Sequence, residues 1–208
     1  VGDKQLITLK GDSKPTDWGG HNRLEIERTW SETALVTILE ELKKRKIQLS
    51  QFDKRWDFSN SIQFLEKIGL QIIQERTNQR RIRNIVQQNK SRTTVLAELA
   101  IDSVTYQFKH QKVRFHELEI ESKSKDSALM FEEIIQTLLK MFESILKKWD
   151  HSKLATGKAV EKLLDEGNLE ELLDEFNNLK PKGFDKIDII LNQVIFETSS
   201  LNNLGRDE

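Results

Sequence analysis

The stretch Lys112–Lys123, KVRFHELEIESK, carries the most concentrated chemistry of this 208-residue chain. Side chains alternate along a strand, so Phe115, Glu117, Glu119 and Glu121 share one face while Leu118 and Ile120 share the other. Three carboxylates then stand in a row at steps of about 7 Å. Like charges in a row repel, and they need cations beside them: arginine, lysine or a metal ion. Other segments repeat the arrangement. Arg23, Glu25 and Glu27 share a face, opposite Leu24, Ile26 and Trp30. Glu98 and Asp102 share a face, opposite Leu99 and Ile101. Arg81 and Arg83 share a face with Thr77 and Gln79, opposite Ile82, which leaves Arg80 on the alternate side. Lys10 closes a strand whose opposite face is Ile7 and Leu9.

Strands with one charged and one apolar face need helices to cover the apolar side. If the sheet curls with helices outside, the Arg, Lys and Glu side chains converge on a polar interior. Such a cavity suits a polyanion held by Arg and Lys, with divalent metal held by carboxylates. The same alternation is also the ordinary content of a sheet with one solvated face, where Glu pairs with Arg across strands. The residues leave both readings open.

The elements that would position these residues follow from periodicity. Gln5–Lys10, Arg23–Trp30, Leu70–Val86, Thr93–Phe108 and Lys112–Lys123 read as strands. Gly11–Asn22, with Pro15 and Gly19-Gly20, reads as a loop. Ser31 is a plausible N-cap for a helix over Glu32–Lys46, whose apolar stripe is Leu35, Ile38, Leu39 and Leu42. A shorter helix fits Ser59–Ile68 and stops at Gly69. A long amphipathic helix fits Ser127–Trp149, and three helical pieces follow at about 154–165, 168–178 and 184–197, broken by Gly167 and Pro181-Lys182-Gly183. The predicted class is α+β, an antiparallel sheet with helices. The first domain is expected over 1–153 and an acidic helical extension over 154–208, ending in a disordered SSLNNLGRDE.

Composition narrows the function classes. There is no Cys, which excludes disulfides, thiolate metal sites and a Cys nucleophile and suits a reducing, cytoplasmic setting. No apolar run approaches the roughly 20 residues of a membrane span. Residues 1–150 carry 26 basic and 22 acidic side chains, and residues 151–208 carry 7 and 12. That basic excess is too small for a dedicated nucleic-acid binder but allows a local anion site. Arg80, Arg81 and Arg83 would make a small nucleic-acid patch, but no aromatic residues interleave them. His21, His110, His116 and His151 show no paired metal-ligand spacing, and no Gly-rich phosphate loop is present. His116 falls on the apolar side of its strand, where it packs or hydrogen-bonds.

The order of the motifs adds a resemblance. Thr8-Leu9-Lys10-Gly11, Arg23-Leu24-Glu25-Ile26-Glu27, Arg80-Arg81-Ile82-Arg83, Ala100-Ile101-Asp102, Glu117-Leu118-Glu119-Ile120-Glu121 and Ser152-Lys153 follow one another with helices between them. In this the segment from Gln5 to Leu164 resembles the CYTH domain family, the triphosphate tunnel metalloenzymes. The resemblance implies an antiparallel β-barrel forming a polar tunnel, braced by outside helices. It implies hydrolysis of inorganic or organic triphosphate, or less readily cyclisation of ATP, with Mg²⁺ or Mn²⁺. Lys10, Arg23, Arg81, Arg83 and Lys153 would hold phosphate oxygens. Glu25, Glu27, Glu117, Glu119 and Glu121 would surround metal, with Glu119 and Glu121 catalytic and Asp102 orienting an arginine. The family also carries an E-x-E-x-K strand and an R-x-R strand ahead of T-x-K-G, and these have no counterpart here. The expectation is a fragment, or a truncated non-catalytic module that binds polyphosphate or a protein partner. The open strand edges of an incomplete barrel would then be free to pair two copies.

Overall fold

Alternation in Leu6–Lys10 (β1) and Glu25–Thr29 (β4) produces an antiparallel ribbon in which Lys10 faces Glu25 and Thr8 faces Glu27. In the computed structural model, which describes residues 4–11, 14–15, 21–47, 49–50, 57–89, 92–123 and 128–204, the chain divides into two compact units, Val1–Ile73 and Gln74–Glu208. The ribbon belongs to the first, as does a short pair, Lys14–Pro15 (β2) with His21–Asn22 (β3), inside the expected loop. The rest of that loop lies outside the described residues.

Helix Glu32–Lys44 (α1) starts where Ser31 accepts the Ala34 N–H at 3.2 Å, and it carries Glu32 in its first turn and Lys43 and Lys44 in its last. Those charges oppose the helix dipole at both ends. Helix Ser61–Lys67 (α2) is capped by Asn60 and ends at Gly69, whose φ of +97° suits a residue without a Cβ. The core of this unit is Ile7 from β1, Ala34, Leu35 and Ile38 from α1, and Phe64 and Ile68, with Trp30 and Phe58 packed alongside.

The second unit is built on one antiparallel meander: Glu75–Asn89 (β5), Arg92–Gln107 (β6) and Lys112–Ser122 (β7). The register places Arg80, Asp102 and Glu117 abreast, and the same face holds Val104 beside Phe115 and Tyr106 beside Val113. One face therefore changes character along its length, from apolar to charged. Helix Lys153–Asp165 (α4), capped by Ser152, packs Ala159, Val160 and Leu163 on the apolar end, and Leu169, Leu172, Leu173, Leu179 and Ile187 complete that core. The expected helical cover of the Leu99–Ile101–Leu118 side is thus corrected. These helices bury the side that bears the carboxylates, because Val104, Tyr106, Val113 and Phe115 offer the larger apolar area there. Residues 159–191, set apart in the sequence reading as part of a separate extension, share this core with β6 and β7.

Several boundaries differ from expectation. β5 begins at Glu75, not at Leu70. The helix expected over Ser127–Trp149 spans Ala128–Met141 (α3), with Ser127 outside the described residues. Trp149 instead turns in, donating its ring N–H to Thr156 at 3.1 Å and meeting Phe184 edge-on. The piece expected at 168–178 is one 3₁₀ turn, Glu170–Leu172, followed by a loop in which Asp174 accepts the Phe176 and Asn178 N–H groups. Residues 177–179 then bond to Arg114 at the outer edge of β7. Helix Pro181–Leu204 (α5) begins at the proline read as a breaker. Proline lacks only an N–H that the first helical turn leaves unbonded anyway. The helix also runs into the stretch expected to be disordered; residues 205–208 lie outside the described ones.

The α+β class with antiparallel sheets holds. Among the described residues the strands form two ribbons and one three-stranded sheet, and none of these closes into a barrel. Three strands are far too few to close, since barrels with packed interiors use about eight. No helix among the described residues is long and apolar enough to cross a membrane.

Candidate functional site

Where the shared face of β5–β7 turns from apolar to charged, five ionic side chains converge. Asp102 in the middle strand is fully buried, with a relative exposure of 0%. Arg80 holds it bidentately from β5, with Nε to Oδ1 at 2.7 Å and Nη2 to Oδ2 at 2.6 Å. Arg80 also bonds Glu119. From the other side, at the first residue of α4, the Lys153 ammonium lies 3.1 Å from Asp102 and 2.5 Å from Glu119 and contacts Glu117.

Helix packing sets the lysine. The buried Tyr106 hydroxyl donates to the Lys153 carbonyl at 2.5 Å, and Gln74 donates to the Leu154 carbonyl at 3.2 Å. The Ser152 hydroxyl accepts the Ala155 N–H. Gly157 brings α4 against the sheet: a Cβ there would meet the Tyr106 ring at 2.6 Å. Glycine is required by this approach, one turn from the lysine.

The electrostatics follow from these contacts. Burial pushes the Asp102 carboxyl up, but hydrogen bonds from Arg80, Lys153 and Asn78 prevail and hold it at about 2, below the ordinary 3.8. The same hydrogen bonds to Asp102 raise Arg80, against the opposing effect of burial. Burial lowers Lys153 despite its acidic neighbours, because an ammonium loses hydration there. Asp102, Glu117 and Glu119 each offer an oxygen within 4.8 Å of the others, a spacing one metal ion can bridge.

The sequence-derived residues distribute as follows. Asp102, Glu117, Glu119 and Lys153 come together. Glu121 shares their face one step along the strand but pairs with Lys123 at 3.0 Å and lies outside the set of three. Arg81 and Arg83 lie on the opposite face, abreast of Ile101 and Leu99. The arginine among the carboxylates is Arg80, the one that parity within its own strand set aside. The register between strands, which the sequence does not display, puts Arg80 opposite Asp102. A signal for it did exist: a buried Asp demands a cation, and three of the four residues at 80–83 offer one.

Lys10, Arg23, Glu25 and Glu27 stand in the first unit. There Glu25 pairs with Lys10 at 3.1 Å and Arg23 at 3.4 Å, and the Thr8 hydroxyl donates to Glu27 at 3.2 Å. Slight burial opposes ionisation of Glu25, but Lys10 and Arg23 hold its carboxyl below the ordinary value. His116 hydrogen-bonds Ser103 at 2.9 Å. His151 sits edge-on to Trp149 and bonds Asp188 at 2.7 Å.

The chain was compared with known proteins in three ways: no family model, no curated protein and no solved structure matches it.

Proposed function

We propose that the second unit binds a triphosphate-containing small molecule and hydrolyses it with Mg²⁺ or Mn²⁺. The observation that carries this reading is the convergence of Arg80 and Lys153 with Asp102, Glu117 and Glu119 on one sheet face. Three carboxylates are hard oxygen donors, and phosphate oxygens with water can complete the shell such ions require. The donor set therefore fits the metal. When bound, the ion would neutralise charge on the phosphoryl group and make bound water more acidic. Arg80 and Lys153 would hold phosphate oxygens, and the arginine fork suits paired contacts. Glu119, half-exposed, would accept a hydrogen bond from attacking water once Lys153 turns to the phosphate. A closed tunnel, completed by further strands, belongs to the same proposal, and the homodimer through open edges does not. The charged residues along β5 (Glu75, Arg76, Arg80, Arg81, Arg83) oppose edge pairing.

A second reading has its own observation. Asp102, Glu117 and Glu119 are each already paired with Arg80 or Lys153. On that reading the cluster is an ion-pair clamp joining α4 to the sheet in a non-catalytic module. Phosphate release from tripolyphosphate separates the two. The hydrolase reading expects release with Mg²⁺ or Mn²⁺ that stops on chelation and falls to background in Glu119→Gln. A folded chain that releases no phosphate with either metal leaves the clamp.

A further inference from the structure

The Lys153 ammonium contacts all three carboxylates that offer metal-ligand oxygens: Asp102 at 3.1 Å, Glu119 at 2.5 Å, and Glu117. A divalent ion and an ammonium repel each other strongly at such range, so they cannot share these oxygens. We infer that Lys153 is a built-in counter-ion which keeps free divalent metal out of the carboxylate set and leaves it only for a polyphosphate. Metal and polyphosphate then enter together, not metal first. This inference rests on the polyphosphate reading above.

The anatomy of the lysine supports an exchange confined to its side chain. Its backbone is fixed by the Tyr106 hydroxyl at its carbonyl, by the Ser152 cap and by the close approach at Gly157. Its four-carbon stem is flexible, and its ammonium is a point charge that can change partners by bond rotation. Arg80 is held differently, by two bonds to the buried Asp102. It stays with Asp102 and with one oxygen of Glu119, while Glu117 and the other Glu119 oxygen are released. Charge points the same way. Three carboxylates facing Arg80 and Lys153 leave one net negative charge, which is little attraction for a free divalent ion. A polyphosphate supplies several negative charges at once, enough to draw the ammonium across and to help hold the metal.

Equilibrium dialysis against Mn²⁺ tests this without turnover. The wild-type chain and Lys153→Gln are each dialysed with and without the methylene-bridged analogue of triphosphate, and folding of each is checked by circular dichroism. The expected result is weak retention by wild type alone and one Mn²⁺ per chain with the analogue. Lys153→Gln alone should bind Mn²⁺ at least about tenfold more tightly than wild type alone, since one competing charge is gone. Lys153→Arg, which keeps the charge, should still exclude free metal. Equal Mn²⁺ binding by wild type and Lys153→Gln without the analogue overturns the counter-ion role and leaves the polyphosphate reading standing. If Lys153→Gln does not fold, tight binding of free Mn²⁺ by wild type overturns the role equally. No retention of Mn²⁺ or analogue by either protein overturns both.

Discussion

The chain carries two charged strand faces built from the same residue types, and they differ in what surrounds them. In the first unit, Lys10 and Glu25 pair across a two-stranded ribbon with side chains 47% and 42% exposed. In the second, Asp102 has no exposure, and Lys153 and Glu117 are each 14% exposed. Water screens the first pair, so its Coulomb energy is small and its loss cheap. In the second cluster Asp102, Lys153 and Glu117 have given up most of their hydration and depend on one another, while Arg80 and Glu119 keep side chains 37% and 45% exposed. Alternation of Glu, Arg and Lys along a strand is therefore not a measure of function or of stability. A third strand on one side and a helix start above the face turn the same pattern into a coupled network.

Asp102→Asn breaks this contrast most directly. It leaves Lys153 and Arg80 without their shared buried partner, and the expected loss is about 3 kcal/mol in urea unfolding. A loss as small as that of an exposed pair would place Asp102 in contact with water.

Acid should read out the same residue. Its carboxyl stands at about 2 in the folded chain and at the ordinary 3.8 when unfolded. A lowered folded value stabilises above the unfolded one, and that stabilisation fades as pH falls from about 4 through about 2. It amounts to about 2 kcal/mol. Stability measured over this range should fall in wild type and fall less in Asp102→Asn. Equal slopes would assign the acid sensitivity to other carboxyls.

Gly157→Ala tests the packing that sets Lys153, because the added methyl would press on the buried Tyr106 ring. Overpacking of this kind costs about 1–3 kcal/mol and should also weaken any binding that depends on Lys153. An alanine variant as stable as wild type would show that α4 can lift without consequence.

Glu25→Gln sharpens the other side of the comparison. Its effect on unfolding should stay below about 0.5 kcal/mol, and added salt should shrink it further. A larger loss, insensitive to salt, would mean that the Lys10–Glu25 pair is shielded from water.

The strands that bear the chemistry were legible because alternation is a local property: β1, β4 and β7 lie within their expected spans, and β6 starts one residue early, at Arg92. Ser31 and Gly69 likewise begin and end helices by rules that act over a few residues, whereas the cap at Ser152 emerged only from the structure. Pro181 was misjudged because a proline at the start of a helix and one after its end look alike without the hydrogen bonds. Trp149 left its helix because a long-range core claimed its ring. Within the site, Asp102, Glu117 and Glu119 could be singled out from residue type and alternation, and Lys153 only from the resemblance. Arg80 could not, since choosing between neighbouring arginines needs the register between strands separated by a turn.

What the sequence settled, then, is the content of each face: which side chains alternate, where helices are capped, and that carboxylates and cations occur in the right numbers to neutralise one another. These depend on neighbours two to four residues apart. Which arginine met Asp102 and how deeply Lys153 was buried came from contacts between residues 22 and 51 positions apart, and which face the helices covered came from contacts as distant as Phe115 with Phe184. Those contacts form where the summed apolar area of Val104, Tyr106, Val113 and Phe115 draws α4 onto one face of the sheet. Burial there strips water from the nearby charges and makes one cluster of an ordinary pattern interdependent.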